Sequence, residues 1–216
     1  MKQPIDVRIF WGLLTGTLAA LVFAFGDLFL AEQGLFMEAE SRPDEFAAFV
    51  TSASYRFWAM RGLYAVLLEM FAFLCLYLAL RNGRAERLAF WALVLFLVHI
   101  ATGQSLFAIL YYIFPGIGEL HQQGVEQVIR LAHMNGGLFA FVVGGGIVWL
   151  IANILFAIAI WRDGTLPKAS GIIILIGFLL IDAPSPIVQF IANLVWGGAL
   201  LWIAIAYRKR RLSEAG

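Results

Sequence analysis

Residues Phe57–Leu80 read FWAMRGLYAVLLEMFAFLCLYLAL, an apolar run long enough to cross a bilayer that nevertheless carries Arg61 and Glu69. A charged side chain at the centre of a membrane helix costs roughly 3 kcal/mol on insertion scales, so such residues face a cavity or a partner. Any fold for this chain must therefore turn that pair inward. The surrounding sequence offers the means: 62% of its 216 residues are hydrophobic, 13% are charged and the mean hydropathy is +0.87. Such values point to an all-α polytopic membrane protein of a single domain rather than a soluble one.

Six spans are predicted, at Ile9–Ala31, Phe57–Leu80, Leu88–Phe114, Asn135–Trp161, Ala169–Ala183 and Ile187–Tyr207. All but the fifth reach the roughly twenty residues that a hydrocarbon core of about 30 Å requires. The fifth is short, and Asp182-Ala-Pro-Ser-Pro186 is the only break before the sixth, so a re-entrant hairpin is the alternative for this pair. The apolar run after Lys2 exceeds a signal-peptide core and reads as a retained first span.

With six spans, Lys2 and Arg8, Arg81, Arg84 and Arg87, Arg162 and Lys168, and Arg208, Lys209, Arg210 and Arg211 all fall on one side. Glu32, Glu38, Glu40, Asp44, Glu45, Glu119 and Glu126 fall on the other. The excess of cations on one face predicts both termini in the cytoplasm. A net charge of +1 gives no reason to expect nucleic acid as a partner. The lone Cys75 forms no intramolecular disulfide.

Two outer segments are expected between spans. Pro43-Asp44-Glu45 suits a helix first turn, and Phe46, Phe49, Val50 and Ala53 follow at helical spacing, as in a helix lying on the membrane or running into the second span. Gly116–Met134, with Val125, Val128, Ile129 and Ala132 on one face, is expected to cap the bundle from outside.

The polar residues at depth are the candidate ligand-binding set: Asp27, Arg61, Glu69, His99, Gln104, Asn135, Asp182, Gln189 and Asn193. By helix rise they populate the outer half of the bundle, which suggests an outward-facing pocket closed toward the cytoplasm. Arg61 and Glu69 are eight residues apart, hence roughly 80° apart around their helix, and can look into the same interior. Arg61 lies at the depth of Asp27, and an ion pair between them is its structural alternative. His99 shares the depth of Glu69, with Thr102 and Gly103 on its own face, and these two are the candidate acid-base groups. A neutral imidazole bonded to a neighbouring helix is the plainer reading of His99.

Asn135, Gly146 and Asn153 form one stripe on the fourth span, and Gln189, Asn193 and Gly197 one row on the sixth, where packing and interhelical hydrogen bonds are the default. A bis-histidine haem is disfavoured because His133 lies roughly 20 Å above His99 by helix rise. Glu119, His121 and His133 have no established metal-site spacing, and HExxH, GxSxG and Walker-type motifs are absent from the sequence, so no metal or cofactor is assigned.

The second half, NGGLFAFVVGGGIVWLIANILFAIAIWRDGTLPKASG followed by APSPIVQFIANLVW, resembles a bacterial family of multi-pass membrane proteins annotated only as a domain of unknown function. That family tends to carry an Arg and a Glu one turn apart in a middle span, and the two-turn separation of Arg61 and Glu69 departs from it. The resemblance implies a six-span bacterial membrane protein and no activity. Three functions fit the residues: binding of a small lipid, isoprenoid or quinone-like amphiphile; a membrane enzyme acting through Glu69 or His99; and a non-catalytic accessory subunit, in a homo-oligomer or a membrane complex.

Overall fold

A computed structural model describes residues 4–29, 38–132, 136–181 and 185–214; nothing is described of the side chains of residues 4, 5, 27–29 and 136. The described chain is helical, with α1 (Pro4–Phe29), α2 (Pro43–Thr51), α3 (Ala53–Leu80), α4 (Glu86–Ala108), α5 (Phe114–Gln122), α6 (Gly136–Asp163), α7 (Lys168–Ile181) and α8 (Pro186–Ser213). Five stretches, Asp6–Gly26, Ala53–Leu80, Glu86–Gln122, Gly137–Asp163 and Pro186–Ser213, are long and apolar enough to cross a membrane. That is the composition of a multi-pass membrane protein. At 14 residues α7 is apolar but spans only about 21 Å, short of the core thickness.

These helices close a ring in chain order. α1 packs on α3, α3 on α4, α4 on α6, α6 on α7, α7 on α8, and α8 returns to α1. Each neighbour runs antiparallel to the last. On the α1–α3 seam Gly12 lies against Cys75, and Thr15 Oγ1 donates to Leu68 O at 2.8 Å one turn further on. On the α1–α8 seam Thr17 Oγ1 donates to Gly197 O at 3.1 Å, while Tyr207 Oη donates to Asp6 Oδ1 at 2.8 Å. Without a hydrophobic drive between helices in lipid, close approach at small residues supplies the attraction. A Cβ on Gly177 would come within 2.8 Å of Trp196 Cβ, and one on Gly171 within 3.0 Å of the Ala157 backbone.

The ring has two unlike ends. At the basic end Asp6 meets Tyr207 and Arg211, the latter with Nε at 3.2 Å, and the α3–α4 turn meets the α6–α7 turn where a Cβ on Gly83 would strike Asp163. At the opposite end α2, α5 and a 3-10 turn over Glu126–Leu131 form a cap with its own core of Phe46, Val50, Tyr55, Phe114, Ile117 and Ile129.

α2 begins as the sequence predicts, with Pro43 at the first turn beside Asp44 and Glu45. Of the two placements expected, it shows the second: after Ser52 alone it runs into α3. Its apolar face, Phe46, Ala47 and Val50, is buried against α5, with Gly118 allowing Val50 to approach. Ser52 then caps α3 by accepting from Tyr55 N at 3.2 Å. Val128, Ile129 and Ala132 are buried in the cap, but Val125 is exposed.

The third crossing, expected to end at Phe114, stays helical to Gln122 by widening into a π turn over Ile109–Ile113. Pro115 favours the widening, because in an unbroken α-helix its ring would clash with the Tyr111 carbonyl. In the π turn the Phe114 N–H bonds Ile109 O, so Leu110 O would next look to residue 115, which has no N–H to give. Tyr55 Oη supplies the missing donor at 2.8 Å, tying α3 to the turn.

Candidate functional site: a cavity inside the helix ring

Toward the basic end the ring interior is filled by aromatic rings from four helices. Phe73 of α3 stacks on Phe96 of α4 at 3.9 Å, meets Phe156 of α6 edge-on at 5.2 Å and lies 6.0 Å from Trp196 of α8, centroid to centroid. All four side chains are buried, and they form a floor. One turn above Phe73 stands Glu69, and one turn above Phe96 stands His99. There the filling stops and a cavity of about 310 Å³ begins, lined by both.

Its walls are mainly apolar, from Phe23, Val66, Phe107, Phe141 and others, with Trp149, Trp196, Thr102, Gln189 and Asn193 adding polar atoms. Several of those atoms are already engaged. Thr102 Oγ1 donates to its own helix, to Val98 O at 2.8 Å and His99 O at 2.9 Å, and Asn193 Nδ2 donates to Gln189 O at 3.0 Å. Others are not. Glu69 is 2% exposed, yet its Oε1 has no hydrogen-bond partner among the described residues, nor has His99 Nδ1, Trp149 Nε1 or Trp196 Nε1. A buried polar atom left unmet costs about 1–3 kcal/mol, and all four belong to residues that line the cavity.

The His99 ring is held in place by its surroundings. It lies flat on the Trp149 indole, with centroids 4.2 Å apart and planes 3° from parallel, and Trp149 is braced edge-on by Phe178 at 4.6 Å. The ring also reaches the Gly145 backbone, which comes close because a Cβ there would meet Thr102 at 3.0 Å. His99 thus does bond a neighbouring helix, as its plainer reading expects, while Nδ1 has no partner among the described residues.

The remaining sequence candidates divide. Glu69, His99, Gln189 and Asn193 come together on this cavity. Gln104 does not line it: its Nε2 donates to Leu63 O at 2.8 Å, stitching α4 to α3. Arg61 turns the other way around α3. Its Nη1 donates to Val22 O and to Phe23 O, the latter at 3.3 Å, and its guanidinium occupies the space a Cβ on Gly26 would take. The negative end of the α1 dipole suits a cation there. Arg61 lines a separate groove of about 500 Å³ with Leu21, Phe25 and Phe57, divided from the cavity by Trp58. Asn135, Asp182 and the side chain of Asp27 lie outside the described residues.

Of the outer Glu119, His121 and His133, the third lies outside the described residues and the other two are paired elsewhere. Glu119 bonds Arg56, and His121 Nε2 is 2.8 Å from Asp44 Oδ1. No cluster of three metal-ligating side chains forms among the described residues. On α6, Gly146 lines the cavity, while Asn153 is buried below it and donates to Trp149 O at 2.9 Å.

Trp196 joins the cavity without having been singled out by sequence. Its signal was present: Gln189, Asn193 and Trp196 fall at i, i+4 and i+7, one face of α8. No family model, curated protein or solved structure matches this chain.

Proposed function

We propose that this is a six-span protein of a bacterial inner membrane, with both termini in the cytoplasm, whose cavity binds a small amphipathic or lipid-like molecule. Counting α7 as the sixth crossing gives an even number, and the basic segments at one end of the ring favour that end as cytoplasmic. A bacterial membrane is what the resemblance of the second half implies. The cavity then opens in the half of the bundle away from the cytoplasm.

The observation that carries the binding reading is the chamber itself: about 310 Å³ of mainly apolar wall with the unmet Glu69 Oε1 and His99 Nδ1 at its base. Apolar walls around a few convergent polar groups are what small-molecule sites share. Native mass spectrometry of protein gently extracted from its own membrane is expected to reveal a bound amphiphile, which Glu69→Gln or His99→Ala releases. A wild-type protein that carries no adduct, and takes up no added amphiphile, overturns the reading.

The same two side chains support a second reading, an enzyme acting on such a molecule. A carboxyl and an imidazole on one chamber can exchange a proton with a bound hydroxyl or carbonyl. Chemical change of the bound molecule, abolished by Glu69→Gln without its release, would select this reading over simple binding.

A further inference from the structure

At the basic end of the ring some cations are answered by carboxylates and others are not. On the α1–α8 seam Arg211 meets Asp6, and Arg210 and Arg211 both meet Glu214. At the corner where the α3–α4 turn meets the α6–α7 turn, Arg81, Arg84, Arg87, Arg162 and Lys168 all lie within five residues of Gly83 or Asp163, and all are exposed. Among the described residues none of the five has a carboxylate within ion-pair distance. The two carboxylates of the corner are engaged otherwise. Glu86 Oε2 accepts from Asn82 N at 3.1 Å, and Asp163 accepts from Thr165 Oγ1 while its Oδ1 is buried against Gly83. Residues 1–3 and 215–216, which adjoin this end of α1 and α8, carry no acidic side chain, and the other residues outside the described ones adjoin the opposite helix ends. The positive balance of the corner is therefore that of its described residues.

The corner is held in place from below. Ala85 of one turn and Leu166 of the other are buried in the main core of the ring, and Ser170 Oγ donates to Pro167 O at 2.6 Å. Exposed apolar surface begins one helical turn from the cations, with Phe90 and Trp91 on α4, Ile158 and Trp161 on α6 and Ile172 on α7. Exposed Trp side chains favour the level of lipid headgroups, and Lys168 Nζ sits 5.5 Å from the Trp161 ring centroid. The helices themselves gain nothing from this charge at two of the five positions: Arg87 and Lys168 occupy the first turns of α4 and α7, where the helix dipole disfavours a cation.

We propose that this corner is a docking surface for the phosphate headgroup of an anionic phospholipid of the surrounding bilayer, held by Arg81, Arg84, Arg87, Arg162 and Lys168. Arginine forks match phosphate oxygens, and four of the five cations are Arg. A lipid is the occupant because it carries an apolar part to the exposed side chains one turn away, which a soluble phosphate would leave unmet. The corner lies beyond the aromatic floor from the cavity and does not depend on what the cavity holds.

The test uses full-length protein in mixed micelles with phosphatidylglycerol or phosphatidylcholine of matched acyl chains, titrated and read by native mass spectrometry. Wild type is expected to bind phosphatidylglycerol about tenfold more tightly than phosphatidylcholine. Each cation near an anionic lipid is worth about fivefold, so Arg84→Gln with Arg87→Gln should erase that preference. Arg84→Lys with Arg87→Lys keeps the charge and is expected to keep the preference, which separates a lost cation from a misfolded turn. Arg208→Gln with Lys209→Gln removes the same charge at the α1–α8 seam and is expected to leave the preference in place. No preference in wild type overturns the proposal, and equal losses from the two Gln pairs overturn the corner as its location. Loss of the preference in Glu69→Gln would put the lipid in the cavity instead, and displacement by millimolar inorganic phosphate would overturn a lipid as the occupant.

Discussion

The two ends of the ring are built from the same helices yet do opposite things. In the half toward the basic end, Phe73, Phe96, Phe156 and Trp196 fill the interior so completely that the helices are locked in register. One helical turn away, Glu69, His99 and Asn193 replace aromatic rings and the interior becomes a cavity. The lesson is that stability and vacancy are segregated along the bundle axis. Dispersion contacts in the floor maintain the ring, and this frees the other half to leave space and unmet polar atoms.

The sharpest way to break that contrast is Phe73→Ala. Removing the ring that touches the other three should cost about 3 kcal/mol, read as lost resistance to unfolding in mixed micelles, and should let the cavity extend toward the basic end. A loss below about 1 kcal/mol would mean the floor is not what maintains the ring.

Glycine substitutions compare the halves directly. Gly177→Ala drives a methyl to 2.8 Å from Trp196 Cβ and 3.0 Å from its backbone, and overpacking of this kind costs about 2 kcal/mol. Gly146→Ala adds the same methyl to open space on the cavity wall and should leave the unfolding midpoint in place. Equal effects at both sites would erase the distinction between filled and open halves.

Tyr55→Phe sharpens the comparison at the cap. It deletes the hydroxyl that serves Leu110 O and strands a carbonyl that Pro115 already deprives of a partner, for a loss of about 1 kcal/mol. Faster amide exchange confined to residues 109–118 is the expected signature.

Acid should have the smallest effect, and a similar one at both ends. Hydrogen bonds from Arg42 hold Glu45 below its ordinary value of 4.5 at the cap, and those from Arg210 and Arg211 do the same for Glu214 at the basic end. A carboxylate depressed on folding adds stability above its ordinary pKa, and that stability is lost as pH falls through the lowered value. Because both pairs are exposed, a shallow decline in melting temperature below pH 4.5 is expected, weakened by salt.

Much of this was legible before any coordinates. Long apolar runs gave the helices of the ring, and the depth of Glu69 and His99 brought attention to the same level of the bundle. Arg61 was harder to read. Eight residues separate it from Glu69, and an estimate of roughly 80° allowed both to face inward. Which way Arg61 turned depended on Gly26 and on carbonyl oxygens of α1, and a backbone acceptor leaves no mark in a sequence. Gln104 illustrates the same difficulty, since its partner is Leu63 O. The aromatic floor went unseen for a different reason: with 19 Phe and 7 Trp in the chain, sequence alone does not show which four rings meet. Pro115 could have announced the π turn, but only by asking how its ring would meet the Tyr111 carbonyl.

The seam between α1 and α8 has a consequence for biogenesis. Thr17 finds Gly197 O, and Asp6 finds Tyr207, in α8, which is made after every other helix of the ring. Until α8 is made, α1 therefore waits with one flank satisfied by α3 and the other bare. Whatever accompanies the nascent chain must shelter that flank until α8 is in place, and a ribosome stalled before residue 186 would leave a crescent where α8 closes the circle.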